Sequence, residues 1–163
     1  GFGVTGHSTS GFGVYGSTIT GTASVFGEVT NASTATAGVL GAVTSPTGAG
    51  VQASYTGSGV GTALLVSNGA IRLAGTNKAA FVHTATPANK LSANGTDISN
   101  PMCDGDPNCI VLVTQRLNTA IITYNNSSIG VYYTPIRNKW EIFNQNNAAI
   151  PDNAQFNVLV IKQ

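Results

Sequence analysis

The chain has 163 residues, 42% hydrophobic and 8% charged, with 20 glycines and a formal net charge of +1. An ordinary soluble domain carries about 25% charged residues. The near-neutral balance and the lack of a basic block exclude a nucleic-acid footprint, and no apolar run approaches the ~18 residues that a membrane-spanning helix needs.

The composition breaks along the chain. Residues 1–75 hold 17 of the glycines and two charged residues, Glu28 and Arg72; residues 76–163 hold three glycines, the other eleven charges and 14 asparagines. We therefore expect two architectures: a glycine-rich repeat at 1–75, a junction at 76–99 and a C-terminal domain at 100–163.

The first half opens with two ten-residue copies of G-x-G-V-x-G, GFGVTGHSTS and GFGVYGSTIT, and the motif returns in looser form as AGVLGAVTSPT, GAGVQASYT and GSGVGTALLV. A fixed period has to be settled before any local motif is read. Each unit offers a short β-prone stretch punctuated by Gly, Ser and Thr, and the glycine density excludes helix at about 1 kcal/mol per residue. Ten residues of strand span about 33 Å at most, too little to close one turn of a single-chain β-helix. The exposed strand edges would need partners, and other copies of the chain are the simplest source. The repeat thus predicts an intertwined homotrimeric β-shaft with Val4, Val14, Val39, Val51 and Val60 pointing inward; a single-chain β-roll is the alternative. The matches to G-x-G-x-x-G at 1–6 and 11–16 are by-products of the repeat, because a dinucleotide site needs a helix after the glycines. No cofactor is expected.

From Ser67 an Asn68-Gly69 pair reads as a hairpin closing the shaft. His83 has no partner at metal-ligand spacing and reads as structural. Further on, candidate strands at 110–115, 120–124, 129–134, 139–144 and 156–162 are separated by Asn-, Pro- and Asp-rich turns. Trp140 and Ile142 alternate against Glu141 and Phe143. Short strands without a helical pattern predict an all-β fold, a small antiparallel β-sandwich-like tip. Cys103 and Cys109 flank a turn-rich loop and are expected to form a local disulfide, which points to an oxidising, extracellular setting. Asp104, Asp106 and Asn108 share the opening spacing of a calcium loop, but Cys109 and Gln115 stand where that loop needs Gly and Glu. The turn reading prevails, and no metal site is expected.

No catalytic constellation is present in the sequence, so an enzyme is not expected. A glycan-contact surface is the better candidate: Tyr124, Asn125, Asn126, Tyr132, Tyr133, Trp140, Asn144 and Asn146 combine aromatic faces for sugar C–H groups with amides that read hydroxyls. Adjacent Tyr132 and Tyr133 face opposite ways on a strand.

The G-x-G-V-x-G repeat resembles the shafts of trimeric phage tail fibres, tailspikes and related bacterial fibre adhesins. The set Tyr124-Asn125-Asn126, Ile129-Gly130-Val131-Tyr132-Tyr133, Trp140-Glu141-Ile142-Phe143-Asn144-Gln145, Pro151 and Phe156-Asn157-Val158 is similar to an uncharacterised secreted bacterial β-domain with the pattern YNN…IGVWY…W-x-IFNQD…MP…FNV. Here Tyr132, Asn146 and Ile150 depart from that pattern. The resemblance implies an extracellular or virion-associated homotrimer whose tip binds a cell-surface glycan without entering the membrane. A purely structural trimerisation cap and a polysaccharide-degrading tailspike fragment are the alternatives. The chain opens inside a repeat, so further sequence upstream of Gly1 is expected.

Overall fold

A computed structural model describes residues 6–20, 25–28, 37–45 and 47–163. The chain divides into two units, Gly1–Leu65 and Val66–Gln163. Val4 and the first five residues of the opening repeat lie outside the described residues.

Among the described residues, the first unit contains no strand. Its organising contact is a glycine pair that recurs with the repeat. A β-carbon on Gly6 would collide with the carbonyl of Gly13, one on Gly27 with that of Gly38, and one on Gly41 with that of Gly50. In each case the valine after the second glycine (Val14, Val39, Val51) leans its Cγ2 over the first. The chain therefore folds back on itself once per unit, where only glycine permits the approach. These valines otherwise stay exposed, as does Val60, so the described positions expected to point inward are not buried.

The second unit is all-β. Six strands form two antiparallel sheets: β1 (Ala80–Thr84), β6 (Gln155–Ile161) and β3 (Ile110–Arg116) in one, β2 (Gly95–Ile98), β5 (Lys139–Asn144) and β4 (Ile129–Thr134) in the other. The order in each is β1-β6-β3 and β2-β5-β4, with all neighbours antiparallel. Strand alternation supplies the core: Val111, Phe156, Val158 and Val160 from one sheet meet Ile98 and Ile142 from the other, with Ile150, Ala154, Cys103 and Cys109 filling the ends. The sequence expectation of a small antiparallel sandwich is met at this level.

Several local expectations are corrected. Asn68-Gly69 forms a bend with Gly69 at φ +93°, but no strands flank it. The stretch read as a junction contributes β1 and β2, one strand to each sheet. The expected strand at 120–124 is a tight turn instead: Asn118 and Thr123 exchange backbone hydrogen bonds (2.8 and 3.2 Å), and Ile122 has φ +51°. Its apolar run has no sheet edge to join. The expected disulfide is absent. Both cysteines are free and buried, the Cys109 thiol donating to Asp106 Oδ2 (3.2 Å) and the Cys103 thiol directed at the Asn100 carbonyl (3.6 Å). Burial, followed by the Asp104 carboxylate, pushes Cys103 up to about 11, and burial with the Asp106 contact raises Cys109. Both are held as thiols, the unreactive form.

Candidate functional site

The two sheets present different outer faces. On β2-β5-β4, the register aligns Asp97, Glu141 and Tyr132 in one row across three strands. The β4–β5 turn, closed by Asn138 at φ +53°, carries Arg137 back over that row. Its guanidinium donates to both oxygens of Asp97 (2.9 and 2.8 Å) and to Glu141, while the Tyr132 hydroxyl donates to Glu141 Oε2 (2.8 Å). The Asp97 contacts and both carboxylate charges raise Arg137 above its ordinary value. Beside this row, Tyr132 meets the Phe143 ring edge-on at 5.4 Å, and Gly130 leaves room for that ring. This face is internally satisfied.

The outer face of β1-β6-β3 is not. Its rows are Ala80–Leu159–Leu112, Val82–Asn157–Thr114 and Thr84–Gln155–Arg116, with Ile110 and Ile161 paired at the far end. Val82, Ile110, Leu112, Leu159 and Ile161 are 38–52% exposed there. A shallow depression of about 620 Å³ runs between Lys78, Val82, Leu112, Asn157 and Leu159, and a second of about 300 Å³ lies among Gln115, Arg116, Leu117 and Tyr124. The domain's carboxylates are engaged elsewhere, Asp152 with Lys90, Asp104 with Lys139, Asp106 with Lys162, and Asp97 and Glu141 with Arg137. Among the described residues, Lys78 and Arg116 have no ion-pair partner; they stand at opposite ends of the apolar face.

The residues expected to form a glycan surface are dispersed. Asn125 and Asn144 are buried (1% and 0% exposed) and bond each other reciprocally at 2.6 and 3.0 Å, with Asn144 also donating to the Ala148 carbonyl (2.8 Å). They close the Ile129/Asn144 end of the sheet and are removed from the contact surface by that pairing. Trp140 and Tyr133 stand at the other end on the inner side, edge to face at 5.8 Å. The Trp140 indole N–H donates to the Asp106 carbonyl (3.0 Å) and the Tyr133 hydroxyl to Asn138 Oδ1 (3.2 Å). Tyr132 is on the outer face, tied to Glu141. Tyr124, Asn126 and Asn146 are exposed. No single patch contains the set.

The loop Asp104–Asn108 is held by Lys139, Lys162 and Trp140, and no cluster of three or more metal-ligating side chains occurs among the described residues. His83 lies between the sheets, stacked on Phe156 at 6.4 Å. Thr96 donates its hydroxyl to Asn89 Oδ1 (2.9 Å), so the His83 Nε2 must be the protonated nitrogen that donates to Thr96 Oγ1 (2.9 Å). Desolvation by burial lowers His83 to about 4, against the opposing pull of Asp97.

The outer apolar face was not among the candidate sites, although the run at 156–162 suits a strand buried on one or both faces. Its signal is present in Ile110-Val111-Leu112-Val113 and Val158-Leu159-Val160-Ile161, strands apolar at both parities, the pattern of strands covered on both faces.

No curated protein and no solved structure matches the chain. One family model does, a domain of unknown function termed DUF7452, over residues 68–160. That span begins before β1 and ends within β6, so it takes in both sheets and more than half of the chain: this chain belongs to the DUF7452 family.

Proposed function

We propose that this chain is a fibre segment that assembles with copies of itself. Three copies wind their glycine-rich repeats into an extracellular shaft, and the β-domain forms a terminal head that meets a cell-surface ligand. One observation carries the assembly. In the repeat, Phe12, Ile19, Phe26, Leu40, Leu64 and Leu65 are 71–99% exposed, and the backbone forms no strand among the described residues. Burying such a side chain is worth about 1.5–3 kcal/mol, and backbone outside any ladder can pair with a partner strand for about 0.5–1.5 kcal/mol per hydrogen bond. A second copy, with the same repeat and the same glycine spacing, offers both.

Asn125, Asn144 and Trp140 serve the fold and are lost to the glycan surface first expected, and a head that only caps the trimer is the second reading. Ligand recognition is supported at one place only. The hollow at Gln115–Leu117 is lined by both Arg116 and the half-exposed Tyr124, residue types suited to a sugar that carries an acidic group.

Sedimentation of the full chain tests the assembly and should give three times the monomer mass. A monomer would overturn it. Binding of that species to a glycan array, weakened in Tyr124→Ala, is the result expected of a recognising head; an empty array would leave the cap alone.

A further inference from the structure

We infer that Asn68-Gly69 is a site of self-modification, at which the chain loses ammonia and gains a carboxylate without any enzyme.

The sequence contains two Asn-Gly pairs, Asn68-Gly69 and Asn94-Gly95, and the fold treats them oppositely. Glycine is the residue this chemistry needs, because a backbone nitrogen beside no β-carbon is open to close approach. Asn68 and Gly69 are both exposed and lie in a bend outside any strand. Gly69 has φ +93°, and a β-carbon built on it would meet nothing within 4 Å. Among the described residues, no hydrogen bond engages the Asn68 side-chain amide or the Gly69 N–H. Nothing in the fold opposes the rotation that brings the two together.

At the second pair the fold does oppose it. Gly95 is buried, opens β2 and pairs with Phe143 across the sheet. Its N–H is directed at the Ser92 carbonyl (3.5 Å), and the Asn94 carbonyl accepts from the Asn144 N–H (2.9 Å). The Asn94 side-chain amide donates to Asn147 Oδ1 (3.4 Å), and the Glu141 carboxylate occupies the space over Gly95. Closing a ring there would first require the β2–β5 edge to open. Exposed Asn126, Asn146 and Asn157 precede Ser127, Asn147 and Val158, whose side chains crowd the nitrogen that would attack.

The step balances with water as its only co-reactant. The Gly69 nitrogen bonds to Asn68 Cγ, the bond from Cγ to the amide nitrogen breaks, and ammonia departs with the Gly69 proton. Water then opens the resulting five-membered imide at either carbonyl, leaving aspartate or isoaspartate at position 68. Either product adds one negative charge to a chain of formal net charge +1, in a stretch (29–77) whose sole charged residue is Arg72. The modified chain is formally neutral, a condition that promotes association.

Peptide mapping by mass spectrometry of the full chain, held in mildly alkaline buffer with and without urea, tests the site. In the native protein the Asn68 peptide should show the mass change of NH to O and separate into aspartyl and isoaspartyl forms, while the Asn94 peptide stays unchanged. In urea both should convert. Native conversion at both pairs, or at neither while urea converts both, would overturn the inference. Gly69→Ala, with folding checked by Trp140 fluorescence, should lose the conversion at 68. Unchanged conversion in that variant, or a native product without the isoaspartyl form, would overturn the cyclic route.

Discussion

His83 shows how a side chain that reads as isolated in the sequence acquires a defined state in the fold. It is enclosed between the sheets, donates from Nε2 to Thr96, and is lowered to about 4 by desolvation. The unfolded chain binds a proton near 6.5 and the folded chain only near 4, so acid favours unfolding between those values. Stability should be full above pH 6.5 and fall as pH drops to 4, by about 3 kcal/mol in all. Urea unfolding followed by Trp140 fluorescence at pH 7, 5.5 and 4 measures this, and His83→Gln should flatten the dependence in that window. Asn125 and Asn144 make the same point for residue type. Their amides suit a sugar as well as they suit each other, and the sequence contains nothing that chooses. Burial does, because an amide pair in the interior must satisfy itself.

At the scale of elements, strands β3 to β6 were legible because alternation and flanking turn residues mark them: the expected 129–134 and 139–144 coincide with β4 and β5. β1 and β2 were not, being short and lying where the composition changes. The run at 120–124 misled for the opposite reason, since apolar character without a neighbouring edge ends as a turn. Arg137 is the device that joins one sheet: it sits on a turn yet ties β2 to β5, and through Glu141 it reaches Tyr132 on β4. Removing it in Arg137→Met leaves Asp97 and Glu141 as like charges directly across a strand pair, an unfavourable arrangement. The Arg137 side chain is 28% exposed, so the expected loss is about 2 kcal/mol, below the roughly 3–5 kcal/mol of a fully buried pair. The midpoint shift in urea reads it out.

For the whole molecule, the two units differ in what holds them. The sandwich has its own core, whereas the described residues of the repeat form no strand and leave Phe12, Ile19, Phe26 and Leu40 exposed. On the proposed assembly, melting should therefore occur in two steps. Loss of oligomer should shift with protein concentration, and unfolding of the head, followed by Trp140, should shift little. A single concentration-independent transition would contradict the division. By itself the sequence determined that the chain is all-β, that its two halves differ, and which strands of the head are amphipathic, because composition and period-two alternation act locally. Only the tertiary structure decided that Asn125 and Asn144 face inward, that the cysteines stay apart as thiols, and that one sheet face is satisfied while the other is open. Those outcomes depend on which side of each strand meets the other sheet, and no residue carries that information alone.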